Sequence, residues 1–174
     1  QISMSSAGVG GNGHSTSPRI TPAGRYVAFV SSATNLEAGD TNNVGDAFVR
    51  DTMLNTTTRV SYGVGGAQLD ATVTALSVSN DGQRIAFASR ATNGLAGDTN
   101  NALDAFVRDR LTATTIMVST SPLGEPSDLG IRNATSPSLS GDGHTVTFSS
   151  ESRNIVGPGF TTVAAPSEYA VAIP

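Results

Sequence analysis

The chain has no cysteine, no lysine and no tryptophan, and its aromatic residues are three Tyr and six Phe. Without cysteine there is no disulfide framework and no thiolate metal site, and the redox compartment stays open. All ten basic residues are arginines, set against fourteen acids for a formal net charge of −4. They form no cluster, which argues against nucleic acid as a partner, because phosphate binding needs grouped cations. No apolar run approaches the roughly twenty residues of a membrane span. The opening Gln1-Ile2-Ser3-Met4 does not read as a signal peptide, so any such peptide has been removed or was never included. Helical spacing is nowhere sustained. A Gly-Xaa-Ser-Xaa-Gly elbow and a His-Glu-Xaa-Xaa-His set are both missing, and His14 and His144 stand alone in turn-like contexts.

What the chain does have is glycine (19), proline (8) and abundant Ser, Thr and Asn, which suits many tight turns. It also repeats itself. Residues 33–51 match residues 91–109 at 15 of 19 positions with an offset of 58. A weaker third copy, residues 138–154, parallels residues 77–93 with an offset of 61, and the three extra residues are assigned to the connector Pro122–Arg132. A repeat of about sixty residues means supersecondary units that bury their faces against one another.

Each copy contains four strand signals. A short first run ends in a turn (Thr21-Pro22-Ala23-Gly24, Ser79-Asn80-Asp81-Gly82, Ser140-Gly141-Asp142-Gly143). An apolar second strand follows at Tyr26–Val30, Ile85–Ala88 and Val146–Phe148. After a longer loop come Ala47-Phe48-Val49 and Ala105-Phe106-Val107, and then Thr58–Ser61 and Thr115–Ser119. The expected fold is therefore all-β: three four-stranded antiparallel repeats, which are β-propeller blades. One domain spans 1–174, with repeats at about 15–62, 72–120 and 134–174. Residues 1–6 match a fourth strand, while Tyr169-Ala170-Val171-Ala172 reads as a third strand with no fourth after it. The N-terminal residues are thus expected to act as a permuted closing strand. Three blades are fewer than the four to eight of an ordinary ring. Two chains pairing head to tail through their end strands would make a six-bladed ring as a homodimer; the other reading is a piece of a longer propeller.

The motifs Ser79–Phe87, Ala-Thr-Asn, Gly-Asp-Thr-Asn-Asn and Asp-Ala-Phe-Val-Arg-Asp resemble the TolB-like or WD-like propeller repeat of bacterial exported proteins. The resemblance covers nearly the whole chain and fades in the third copy, where Gly157-Pro158-Gly159-Phe160 replaces Gly-Asp-Thr-Asn. It implies a secreted or periplasmic location. It does not imply one activity, since the fold serves many.

The duplicated acidic loop is the strongest chemical candidate. Asp40, Asn42 and Asp46, with Asp98, Asn100 and Asp104, place oxygens at positions 1, 3 and 7 of a short loop, a pattern that suits Ca²⁺. The competing reading makes these Asp and Asn residues turn-formers that satisfy backbone groups. Asp81 and Asp142 read as structural turn residues, and Asp51 and Asp109 as ion-pair partners for Arg50 and Arg108.

The leading functional expectation is a non-catalytic binding or scaffolding module that recognises a protein, peptide or glycan through loops at one end of the ring. A self-assembly module is the second reading. An accessory or catalytic domain of a secreted hydrolase is the third.

Overall fold

The computed structural model describes residues 1–131, 136–155 and 167–174. Among these residues lie eleven strands: β1 (Ser15–Ile20), β2 (Tyr26–Ser31), β3 (Asp46–Asp51), β4 (Thr56–Arg59), β5 (Val73–Val78), β6 (Arg84–Ser89), β7 (Asp104–Asp109), β8 (Thr114–Met117), β9 (Ser138–Leu139), β10 (Thr145–Ser150) and β11 (Ser167–Ala172). They form three antiparallel sheets in the orders β1-β2-β3-β4, β5-β6-β7-β8 and β9-β10-β11, here called blades 1, 2 and 3. Among the described residues blade 3 has three strands, as its register predicts. Among the described residues no helix is long and apolar enough to cross a membrane.

The blades keep one register. Phe29 lies opposite Phe48, Phe87 opposite Phe106 and Phe148 opposite Tyr169, with ring centroids 5.8, 5.5 and 5.7 Å apart. Such cross-strand aromatic pairs fix a sheet's register, because a slip of one residue would carry them to the other face. The two-residue period then distributes blade 2 between its neighbours. Ile85 and Phe87 pack toward Ala28, Val30 and Val49 of blade 1, while Ala86 and Ala88 face Val146 and Phe148 of blade 3. The middle strands of blades 1 and 2 are therefore buried on both faces and read as near-continuous apolar runs, whereas β10 of blade 3 exposes Thr145 and Thr147. Burying each Phe adds on the order of 2–3 kcal/mol relative to leaving it exposed.

Residues 1–14 lie on the outer face of blade 1. The Cβ position at Gly11 is 3.1 Å from Ala33 and 3.2 Å from Leu36, beside the Phe29–Phe48 pair. Thr57 Oγ1 donates to the Met4 carbonyl (2.5 Å), and Arg50 donates to the Ser5 carbonyl (3.2 Å). The bridges Met4–Gly10, Tyr62–Gln68 and Thr120–Pro126 recur at the repeat spacing. This segment therefore repeats the connector that leads from a fourth strand into each later blade.

The three extra residues of the third copy sit further on than the sequence suggests. Ile131 bridges Ser150 just as Val73 pairs with Ser89, so the 58-residue spacing holds through Ile131; Leu139 opposite Val146 already follows the 61-residue spacing. The change of spacing thus falls between Ile131 and Ser138, a stretch that includes residues 132–135, outside the described residues. Gly157–Phe160, the degraded loop motif of the third copy, lies outside the described residues.

Candidate functional site

The β1–β2, β3–β4, β5–β6, β7–β8 and β9–β10 turns lie at one end of the sheets, and the long acidic loops of blades 1 and 2 lie at the other. In blade 1 the loop folds back so that Asp40 and Asp46 face the same guanidinium. Arg59 Nη1 is 3.4 Å from Asp40 Oδ1 and 3.6 Å from Asp46 Oδ2, and all three side chains are almost fully buried. These are charge–charge contacts rather than hydrogen bonds, for Asp40 Oδ1 and Arg59 Nη1 have no hydrogen-bond partner. Ser61 Oγ donates to Asp46 Oδ1 (2.5 Å), and Glu37 accepts from the Arg59 amide (2.5 Å) and the Tyr62 hydroxyl (3.0 Å). Burial, then the Asp46 charge, pushes the Asp40 carboxyl above its ordinary range, with Arg59 pulling the other way.

Blade 2 repeats the carboxylates without the arginine. At the 58-residue spacing Arg59 becomes Met117, Glu37 becomes Leu95 and Tyr62 becomes Thr120. Asp98 and Asp104 are buried, at 6% and 1% exposed. Asp104 Oδ1 accepts from Ser119 (2.6 Å) and Ser127 (3.3 Å), but its Oδ2 has no partner. Burial raises both carboxyls, and the Asp104 charge raises Asp98 further.

The two asparagines act as turn-formers. Asn42 Oδ1 accepts from the Val44 amide (3.2 Å), and Asn100 Oδ1 from the Ala102 amide (2.7 Å). Their side-chain amides tie the loop to the next connector, at the carbonyls of Leu69 (3.0 Å) and Ser127 (2.7 Å). Repetition alone does not reveal Arg59, Glu37 and Tyr62; the signal lies in the positions where the two copies differ.

The hairpin end carries a different arrangement. A groove of about 390 Å³ between blades 1 and 2 is lined by Arg25, Tyr26, Leu54, Arg108, Arg110 and Leu111, among others. The Arg25 and Arg110 guanidinium carbons lie 4.8 and 5.2 Å from the Tyr26 ring centre, one from each blade. Leu54 and Leu111 are exposed on its rim. The corresponding groove between blades 2 and 3, about 280 Å³, is lined by Arg84, Val107, Ile116 and Ile173 and is the more apolar of the two.

The arginine pairs differ from expectation. Asp51 pairs with Arg25 (2.8 Å) and Asp109 with Arg84 (3.2 Å), both within a blade, because neighbours along a strand point to opposite faces and Arg50 cannot reach Asp51. Arg50 donates instead to Thr57 (3.1 Å) and Asn55 (3.1 Å), and Arg108 to Thr115 (3.1 Å). The hydrogen bond from Arg25 holds the Asp51 carboxyl down at about 2.

Asp81 and Asp142 each accept from the serine two residues earlier (2.6 and 2.5 Å) and from an amide two residues later (2.9 and 3.0 Å), so both shape turns. His14 and His144 are exposed; His144 Nδ1 lies 3.4 Å from Arg84 Nη1.

No protein-family model matches the chain, and no curated protein matches its sequence. Solved structures do share its fold. An oligogalacturonate lyase in complex with manganese aligns over 94% of this chain and 36% of its own, at 13% identity and a TM-score of 0.50. The β-propeller domain of the Trilobed protease from Pyrococcus furiosus aligns over 79% of this chain and 33% of its own (18% identity, TM-score 0.49). A structure described as TolB from Agrobacterium tumefaciens aligns over 92% and 58% (14% identity, TM-score 0.39). The chain spans about a third of the length of the first two. At these identities the likeness is one of fold: the sheets are β-propeller blades.

Proposed function

We propose that the chain is a non-catalytic binding module of an exported protein that recognises its partner at the hairpin end. The observation that carries this reading is the groove between blades 1 and 2, where Arg25 (paired with Asp51) and Arg110 flank Tyr26 and Arg108 lines the same wall, on a chain of net charge −4. Grouped guanidinium groups beside exposed leucines suit an acidic group on an apolar segment. The rim of Leu54 and Leu111 favours a protein or peptide over a glycan, which would call for exposed aromatic faces. The test is fluorescence anisotropy with labelled peptides, acidic-apolar against neutral, and with uronate oligosaccharides. Binding of the acidic peptide that is lost in Arg110→Gln and weakens with salt supports the reading; equal binding by the variant removes it.

A second reading, self-assembly, rests on β11. Among the described residues this six-residue strand pairs with β10 alone, leaving its outer edge open to a further strand from another chain. Light scattering at micromolar concentration tests it. A dimeric mass that falls to a monomer when residues 1–6 are deleted supports exchange of end strands, and a monomeric intact chain excludes it.

A further inference from the structure

Two buried carboxylates on neighbouring loop positions need a counter-charge, and the two blades meet that need differently. Blade 1 supplies it with Arg59, whose Nη1 sits between Asp40 and Asp46 at 3.4 and 3.6 Å. In blade 2 the same register holds Met117, and among the described residues no guanidinium nitrogen lies within 4.0 Å of Asp98 or Asp104. Arg90 is exposed and donates to the Asn101 carbonyl (3.0 Å), so its charge acts on Asp104 from farther away. Asp104 Oδ2 is buried with no hydrogen-bond partner, and the side chain of Asn100 and the more distant Arg90 only partly offset the burial of this carboxyl. An uncompensated buried carboxylate costs several kcal/mol in a protein interior, and a bound counter-charge would relieve that cost.

We propose that the Asp98–Asp104 loop of blade 2 binds one oxygen-seeking divalent cation, of the Ca²⁺ type, in the position that Arg59 fills in blade 1. The chemistry of the donors sets the class. The loop offers carboxylate oxygens and backbone carbonyls with no imidazole or thiolate, which is the ligand preference of a hard cation. A double positive charge matches the two carboxylates. Asp98 and Asp104 are the ligands. Asn100 is a positioning residue, because its oxygen is bound to the Ala102 amide and its amide to the Ser127 carbonyl. Two carboxylates leave most of the coordination shell to carbonyls and water, so the affinity is weak, of the kind seen in extracellular modules. The expected stoichiometry is one per chain rather than two, because the blade 1 loop carries its own cation.

The test is calorimetry and thermal melting of the EDTA-stripped chain with CaCl₂. One Ca²⁺ bound per chain and a rise in Tm are expected, both lost in Asp104→Asn. Met117→Arg should also abolish binding while raising the Tm measured without Ca²⁺, as the arginine takes the place of the ion. A circular dichroism spectrum matching the wild type confirms that each variant is folded; if Asp104→Asn is not, Asp98→Asn replaces it. Three results would overturn the proposal: no heat and no Tm shift at millimolar CaCl₂, two ions per chain, or binding that survives both Asp104→Asn and Met117→Arg. A Ca²⁺-indifferent wild type whose Tm rises on mild acidification, beside a flat Asp104→Asn, would instead identify a proton as the counter-ion.

Discussion

Blades 1 and 2 share 15 of the 19 residues that run from the acidic loop through the third strand, yet they are not interchangeable. Two of the four differences exchange bulk. Leu36 packs beside Phe48 in blade 1, whereas Gly94 stands at that position in blade 2, where a Cβ would fall 2.4 Å from the Phe106 ring. In return Gly45 becomes Leu103, which enters the core between blades 2 and 3. A third difference removes Glu37, and outside the shared stretch Arg59 and Tyr62 are replaced as well. The shared residues build the frame, and the differing ones decide packing and local charge. Two nearly identical loops can therefore carry opposite chemistry.

The largest expected effect comes from making blade 1 resemble blade 2. Arg59→Met would strand Asp40 and Asp46 in the interior and should cost about 3–5 kcal/mol by urea denaturation; the blade-2 counterpart, Met117→Arg, should stabilise instead. Equal responses of opposite sign to expectation, or none, would break the comparison. Next come the paired turn glycines. Gly24 and Gly82 both have positive φ, but a Cβ at Gly24 meets open space while one at Gly82 would lie 2.2 Å from the Tyr26 ring. Gly24→Ala should cost about 1 kcal/mol in backbone strain, and Gly82→Ala a further 1–3 kcal/mol or so from overpacking, read as thermal midpoints.

The pH response separates the two ends of the molecule. Asp51, held at about 2 by Arg25, contributes stability above its ordinary 3.8 and loses it as the pH falls toward 2. The advantage of wild type over Arg25→Met should therefore shrink across that window in acid melts. Asp98 and Asp104 have the opposite sign: their raised carboxyls favour the fold at low pH, and the contribution is lost as the pH rises through the raised values. Without added Ca²⁺, Asp104→Asn should gain on wild type as the pH rises above the ordinary carboxylate range. The smallest effect is at the turns. Asp81→Ala should cost about 1 kcal/mol, and Ala23→Asp should return up to that much to blade 1, whose turn has Thr21 but no carboxylate.

Most of the fold was legible because its cause is local. Short apolar runs such as Tyr26–Val30 and Ile85–Ala88, bounded by Gly-containing turns, specify strands wherever they occur, and copying them specifies a stack. Even Tyr169 as the third-strand partner of blade 3 followed from register alone. The insertion was less legible, since the weak similarity of the third copy does not say on which side of Ile131 the spacing changes. Of the site, the loop positions 40–46 and 98–104 were visible as a repeated pattern. The partner of Asp51 was not: adjacent Arg50 is nearest in sequence, but the pleat turns it away and brings Arg25 across the hairpin.

The sequence by itself determined the number of repeats, the order of strands within each and the turns that join them, because these depend on the two-residue period and on the backbone preferences of Gly, Asn and Asp. Tertiary structure alone decided which charges are compensated. Arg59 lies nineteen residues from Asp40, and Arg110 stacks on the Tyr26 ring of another blade. Only the closing of the sheets and the stacking of the blades bring those groups within a few ångströms and exclude the water that would otherwise screen them.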